Sequence, residues 1–506
     1  MRLLTDVARL GAKRYGTRTA IVFEGCSLTF SDLDAMSNRY ALRLAEQGIA
    51  RGDLVGLMME NCLEFPVVAF AVMKLGAVLV PFNFRYRPDE LTYVVNDTRI
   101  KLLVSGPECL QVVRQASMGF AGAVEIVDAS SLGLLKPVDE PVVMPEVDIE
   151  PSASAMVMYT SGTTGFPKGA VATHAAFIAI ITSLILGGDL HSDDVVLVSM
   201  PLFHNGGLNA QLMPCLALGG RAVLLGKGFA PDRVLGVVER ERVTVTMWVP
   251  TMLALLVDAS DADRYDVRSL RSIWYGSSPI SPVLLAKVRK HFDAALYQFY
   301  GMTETGMTAV LPAGDHAEHA HCTGRELFHA DLRIVDELGA DVPVGHTGEL
   351  LSRQHPLGMS GYLNNPEATA ATIVNGWIRT GDVARNEGDG LFTIVDRLKD
   401  MLISGAENIY PSEIENCIAR HPSVREVAVF GIPDDVYGEV VCAAVVAYDD
   451  APVSGEAIVE WCAEHIASYK KPRRVLLLPE LPKNATGKVT KHVLRAPFWQ
   501  GHERTI

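Results

Sequence analysis

The chain has 506 residues, more than one hydrophobic core usually serves, so at least two domains are expected. Hydrophobic residues make up 49% and charged residues 21%, an ordinary globular composition. The formal net charge of −14 argues against a nucleic-acid binder or a protein of anionic membrane surfaces, and leaves local loops free to hold an anion.

The eight cysteines are scattered with no C-x-x-C pair, which reads as reduced, structural thiols in a cytoplasmic protein. Cys322 lies near His319 and His321, but no second cluster follows in sequence to complete a zinc site. The apolar runs near Pro66–Pro81 and Ala175–Gly188 are too short, or are broken by Lys74, to suggest a membrane span. Neither an N-terminal signal peptide nor a peroxisomal Ser-Lys-Leu end is read from the termini.

In chain order, residues 1–150 alternate strand and helix patterns. Leu28–Leu33 reads as a strand entering a helix capped by Ser31, Leu54–Met58 as a buried strand, Leu63–Leu75 as a helix ended by Gly76, and Val78–Pro81 as a strand. A Pro-rich acidic connection spans Lys136–Pro151. The alternation resumes with strands at Ala155–Met158, Val195–Met200, Arg221–Leu225, Val243–Trp248 and Ser272–Tyr275. Such alternation predicts parallel sheets covered by helices. Gly324–Leu350 is turn-rich and predicts a small antiparallel part. After Arg397-Leu398-Lys399-Asp400 the pattern restarts as a compact α+β unit, with a helix from Pro411, strands near Val424–Phe430 and Val440–Tyr448, and a helix over Gly455–Ile466. The expected fold class is α/β, with a large N-terminal domain over residues 1–398 and a small α+β C-terminal domain over 399–506.

The most informative stretch is Tyr159-Thr160-Ser161-Gly162-Thr163-Thr164-Gly165-Phe166-Pro167-Lys168-Gly169. Glycines let backbone N–H groups approach an anion, hydroxyls add donors, and Lys168 adds positive charge, so the stretch is suited to a polyphosphate. It is not a Walker A loop, because Lys168 follows Pro167 and precedes Gly169. Further along, Pro201-Leu202-Phe203-His204 closes a strand with an aromatic and an imidazole. Tyr275-Gly276-Ser277-Ser278-Pro279 follows another strand. Tyr300-Gly301-Met302-Thr303-Glu304 offers a stacking ring, a hydroxyl donor and a carboxylate for a hard cation. The stretch Trp377-Ile378-Arg379-Thr380-Gly381-Asp382 ends in a carboxylate.

The order of these segments resembles the adenylate-forming superfamily, which comprises acyl-CoA synthetases, luciferases and the adenylation domains of peptide synthetases. The resemblance runs from Leu28 to Lys488. It implies a barrel-like form for the antiparallel part and a mobile C-terminal domain. It also implies that Thr160, Ser161, Gly162, Thr163, Thr164 and Lys168 hold ATP phosphates. Gly276, Ser277, Ser278, Tyr300, Gly301, Met302, Asp382 and Arg397 would hold the rest of ATP or AMP. Ser277 and Ser278 stand where the family has Gly and Ala. Thr303 and Glu304 would serve catalysis, with Glu304 holding Mg2+, and Lys488, in Pro482-Lys483-Asn484-Ala485-Thr486-Gly487-Lys488, would be the catalytic ammonium. Phe203, His204, Gly207 and Phe299 would line the acyl pocket, Lys399 would be the hinge, and Gly405 with Ala406 would line the tunnel for the pantetheine arm of CoA. Ala406 replaces the family's usual glycine.

The implied activity is an AMP-forming acid–thiol ligase of fatty acid metabolism, with ATP and CoA as co-substrates and a hydrophobic carboxylic acid as acyl donor. A carrier-protein pantetheine as acceptor, or a single half-reaction, stand as alternatives, and a homodimer is left open.

Overall fold

The computed structural model describes residues 1–500 except 134, 137–141, 143, 145–146, 161–166, 227, 260–263, 279, 399, 405–406, 435–436 and 484–488. It describes the backbone alone at 403, 407 and 408. Much of the Pro-rich connection expected at 136–151 falls outside the described residues.

Two large sheets carry most of the chain. A nine-stranded sheet runs in the order Arg325–Glu326, Gly306–Leu311, Ala295–Met302, Ser272–Gly276, Val245–Trp248, Val195–Val198, Arg221–Leu224, Thr19–Phe23, Cys26–Thr29. Its interior pairs are parallel and only its ends are antiparallel. A seven-stranded sheet runs Gly361–Tyr362, Lys168–Thr173, Ser154–Thr160, Val78–Pro81, Leu54–Met58, Leu102–Ser105, Glu125–Asp128. The Val- and Ile-rich strands have the near-continuous apolar character of sheets buried on both faces. The expected α/β class is thereby borne out.

The antiparallel part is a curled five-stranded sheet centred on Trp377–Gly388, flanked by Thr347–Arg353 and Leu391–Arg397. Beyond it, Leu402–Ser404, Glu407–Ile409, Val424–Asp434, Gly438–Ala447 and Arg474–Leu477 form a sheet against the helices Pro411–Ile418 and Gly455–His465. Two apolar cores belong to this last region. One is centred on Leu402, Ile414, Val429 and Cys462, and the other on Phe430, Cys442, Val446 and Leu481.

The helix expected after Leu28 exists, but its cap is Thr29 rather than Ser31. Phe30 already has helical backbone, and Thr29 Oγ1 accepts from Asp32 N at 3.0 Å while Asp32 Oδ2 accepts from Thr29 N at 2.9 Å. This reciprocal capping box satisfies two otherwise orphan donors. The Glu64–Lys74 helix is buried on every side, and one charge lies among its apolar groups. The Lys74 side chain is 7% exposed, and its ammonium donates to Asp34 Oδ1 (2.6 Å), Ser37 Oγ (2.7 Å) and Asn38 Oδ1 (2.6 Å). Among the described residues, no helix is long and apolar enough to cross a membrane.

His174 opens the helix His174–Gly187, which packs behind the nine-stranded sheet. Its Nδ1 accepts from Leu4 N at 3.2 Å, so the amino-terminal turn is tied to this helix. Burial pushes the imidazole down to about 4, against the pull of Asp6.

Lys74→Met should cost about 3 kcal/mol, the lower end for breaking a buried pair, because water can reach Asp34. A shift in the urea midpoint measures it, and an unchanged midpoint would contradict the buried role of the ammonium. His174 predicts a pH effect as well. An unfolded imidazole titrates near pH 6.5 and the folded one near 4, so the unfolded chain takes up the proton first as pH falls. Stability is full above about pH 6.5 and is lost progressively toward pH 4. The thermal midpoint should fall across that window, and fall less steeply in His174→Asn; parallel slopes would remove His174 as a contributor.

Candidate functional site

The parallel strands end along one edge, and three of the predicted segments lie at those ends: Pro201–His204, Gly276–Ser278 and Tyr300–Met302, the last closing the strand Ala295–Met302. In open α/β sheets, ligands bind in the crevice outside the carboxyl ends of the strands. Gly276 is paired with Phe299, and a Cβ on it would lie 2.2 Å from the Phe299 carbonyl oxygen. Gly301 is similarly enclosed, 2.2 Å from Gly306 O. Both glycines are required by the close approach of neighbouring backbone. Ser277 has φ +68°, a left-handed conformation that costs a serine about 1 kcal/mol, and its side chain is exposed at the strand end. Ser278 is half-buried beside it.

The segment Tyr300–Glu304 sits between two polar networks. At one end, the Tyr300 phenol donates to Asp382 Oδ2 at 2.6 Å, and Arg397 Nε lies 2.8 Å from Asp382 Oδ1. Asp382 and Arg397 are cross-strand partners, so the sheet register sets this pair. The Asp382 side chain is 3% exposed. Burial, and then the Asp382 charge, push the Tyr300 phenol well above its ordinary range, which keeps it a neutral O–H donor. Burial works against the Arg397 charge, but Asp382 and neighbouring groups outweigh it. A ring edge from Phe392, 6.0 Å between centroids, steadies Tyr300 from the side.

At the other end, Glu304 is buried in the turn after Met302. The Tyr362 phenol donates to Glu304 Oε1 at 2.9 Å, and the Lys168 ammonium lies 5.3 Å from the centre of the Tyr362 ring. Burial, then Glu304, raise the Tyr362 phenol, so it too remains a donor. Tyr362 thus couples the lysine of one sheet to the carboxylate of the other. Lys168 and Thr160 are themselves a cross-strand pair closing the ends of the glycine-rich stretch. Gly169 is held to glycine by Val157 and Tyr159, which a Cβ would meet at 2.7 and 3.0 Å. Thr303 is half-buried in the same turn as Glu304.

The residues expected around an acyl group are less uniform. Phe203 is half-buried and meets Phe84 edge-on, with centroids 5.4 Å apart. His204 Nδ1 accepts from Gly206 N at 3.1 Å, and burial pushes its imidazole down to about 4, so it is neutral at neutral pH. Gly207 is buried at the start of the π-helix Gly206–Leu212, where a Cβ would lie 2.3 Å from Pro201 O. Phe299 is 2% exposed and packs against Trp274 at 4.9 Å within the main apolar core. Strand alternation turns it away from the face where Tyr300 meets Asp382. Ser161, Gly162, Thr163, Thr164, Lys399, Gly405, Ala406 and Lys488 lie outside the described residues.

Sequence reasoning missed Tyr362, Phe84 and Trp274. Tyr362 is 58 residues from Glu304, and no local pattern marks it. Tyr362→Phe keeps the ring beneath Lys168 and removes the donor from Glu304. It should weaken ATP binding about tenfold, as befits one hydrogen bond to a charged group. Tyr362→Ala should weaken it further. Calorimetric titration checks this, and equal affinity in Tyr362→Phe would detach that bond from nucleotide binding.

Comparisons with known proteins identify the family. A family model described as AMP-binding enzyme matches residues 9–363, and one for the AMP-binding enzyme C-terminal domain matches residues 413–488. A feruloyl-CoA synthase of an Amycolatopsis species is 37% identical over 481 residues, covering 95% of this chain and 96% of that one. The long-chain-fatty-acid–CoA ligase FadD13 of Mycobacterium tuberculosis is 34% identical over 478 residues, covering 93% of each. The solved structure of the anthranilate CoA ligase AuaEII, in complex with anthranoyl-AMP, superimposes with a TM-score of 0.91 at 25% identity, covering 98% of this chain and 97% of that one. With its motifs in order and its fold matched along nearly the whole length, the chain belongs to the AMP-binding enzyme family, within the adenylate-forming superfamily of acyl-CoA synthetase type.

Proposed function

We propose that this chain is an AMP-forming acyl-CoA synthetase for a hydrophobic carboxylic acid, with residues 1–398 holding ATP and the acyl group and 399–506 acting as a mobile cytoplasmic partner domain. The observation that carries the reading is the double anchoring of Tyr300–Glu304. One end meets a carboxylate suited to a ribose diol, and the other, through Tyr362, lies near a lysine suited to phosphates, with Glu304 suited to their cation.

In the first step a carboxylate oxygen of the acid attacks the α-phosphorus of ATP, and pyrophosphate leaves. In the second, the CoA thiolate attacks the acyl carbon, and AMP leaves. Neither step needs a protein nucleophile, so positioning and charge stabilisation carry the catalysis. Asp382 accepts from ribose hydroxyls, and Lys168 offsets phosphate charge. Thr303 donates to the α-phosphate, and Lys488 brings a second ammonium to the approaching anions. Glu304 is an oxygen donor of the kind Mg2+ prefers, and Tyr362 fixes the aim of its carboxylate. When bound with the nucleotide, Mg2+ supplies charge neutralisation at the phosphates. The neutral His204 and the Phe203–Phe84 pair favour an apolar acyl group over a charged one.

Lys399 is the proposed hinge for withdrawing Lys488 between the steps. The separate cores centred on Leu402 and Phe430 support a unit able to move as a body. Ala406, at a position the family fills with glycine, puts a methyl at the pantetheine tunnel. This favours trying a carrier-protein pantetheine as acceptor beside free CoA.

Incubation with MgATP, CoA and a panel of fatty, aryl and terpenoid acids should yield AMP, pyrophosphate and acyl-CoA together for one apolar class. Lys488→Ala should lower adenylation by at least about a hundredfold and spare thioester formation from supplied acyl-adenylate. Pyrophosphate exchange without acyl-CoA would shift the assignment to a carrier protein. Absence of adenylation with every acid would overturn the reading.

A further inference from the structure

The loop after the short helix His316–His319 brings an imidazole and a thiol beside a strand of the antiparallel sheet. His321 Nε2 lies 3.4 Å from Cys322 Sγ, and donor atoms of His321, Cys322 and Glu387 all fall within 4.8 Å of one another. His321 is exposed, Cys322 is buried, and Glu387 lies between those extremes. Glu387 sits on Trp377–Gly388, the strand that also carries Asp382. The third donor is more than sixty residues away in sequence, which is why Cys322 and His321 alone looked incomplete.

We propose that His321, Cys322 and Glu387 form a binding site for a zinc-class divalent ion that pins the 319–323 loop to the antiparallel sheet. Zinc takes imidazole nitrogen at about 2.0 Å and thiolate sulfur at about 2.3 Å, so the N···S edge of its tetrahedron is about 3.5 Å. The His321–Cys322 separation of 3.4 Å already matches that edge. Glu387 has only to close by about an ångström, as a carboxylate on a flexible stem can, to complete three ligands and leave the fourth position to water. A mixed nitrogen, sulfur and carboxylate set favours zinc over calcium or magnesium.

Arg385 is the competing cation, with Nη2 at 2.8 Å from Glu387 Oε1. Its side chain is 43% exposed, so the guanidinium can turn into solvent when a divalent ion takes the carboxylate. The ion would act on structure rather than on chemistry. Gln298 Nε2 donates to the carbonyls of Cys322 (3.3 Å) and Thr323 (3.2 Å), and Thr323 N donates to Phe392 O at 2.8 Å. Those contacts back the Tyr300 strand and the Phe392 ring beside it, so a bound ion would stiffen the support of the nucleotide site without touching substrate.

The test uses the full-length protein, freed of metal by chelation and dialysis. Titration with Co2+ should give one equivalent of binding with a thiolate-to-cobalt charge-transfer absorption. The absorption should vanish in Cys322→Ser and persist in Cys26→Ser, which removes an exposed thiol. Zn2+ affinity by calorimetry should fall at least about tenfold in His321→Gln and in Glu387→Gln. It should rise in Arg385→Gln, a gain that adventitious surface binding would not produce. Zn2+ should raise the thermal midpoint of the unaltered protein but not of His321→Gln. His321 is exposed, so that variant decides the matter if Cys322→Ser fails to fold. A missing charge-transfer band, or binding unchanged in His321→Gln, overturns the site, as does a band lost in Cys26→Ser and kept in Cys322→Ser.

Discussion

Asp382 is a carboxylate almost sealed from water, and such a group is tolerated only when its charge is partnered. Its partners come from two directions: a phenol on the nine-stranded sheet and a guanidinium on the adjacent antiparallel strand. The clamp therefore has a structural consequence as well. It joins two sheets whose other meeting place includes a small apolar cluster of Ala309, Leu350, Ala384 and Phe392, against which Tyr300 packs. A polar contact of fixed direction on top of a non-directional apolar one gives the antiparallel sheet a single orientation over the parallel strand ends.

The second sheet reaches the site through Tyr362. Lys168 belongs to the seven-stranded sheet and Glu304 to the turn leaving the nine-stranded one, and both are anchored on Tyr362. A ring can face a cation and still offer a hydroxyl to an anion, so a single side chain holds opposite charges apart at a set spacing. Such preorganisation matters for phosphate chemistry, where the protein contributes placement of charge rather than bonds.

The fold class was legible because parallel strands buried on both faces read as continuous apolar runs, and Leu54–Met58, Val78–Pro81 and Val195–Val198 fell where expected. The helix cap was misplaced by two residues because Thr29 and Ser31 both precede an apolar stretch. Only the reciprocal bonds with Asp32 distinguish them. Within the candidate site, contiguous motifs single out Tyr300, Glu304 and Asp382 by their neighbours, and the structure brings the Tyr300 phenol to Asp382. Tyr362 could not be found this way, because its meaning lies in two partners from distant strands. Glu387 stayed hidden for the same reason, since a donor on another strand is adjacent to Cys322 only after folding. Phe299 carried a partial signal: one residue from Tyr300 on a strand, it must face the opposite side, and there it meets Trp274.

The pairing of Thr160 with Lys168 has a thermodynamic side. Bringing the ends of a loop together costs configurational entropy, and a ligand that must do so loses that much affinity. Here strand pairing sets the two ends side by side, with Thr160 opposite Lys168. On the function proposed above, the hairpin register thereby contributes to how tightly a polyphosphate is held.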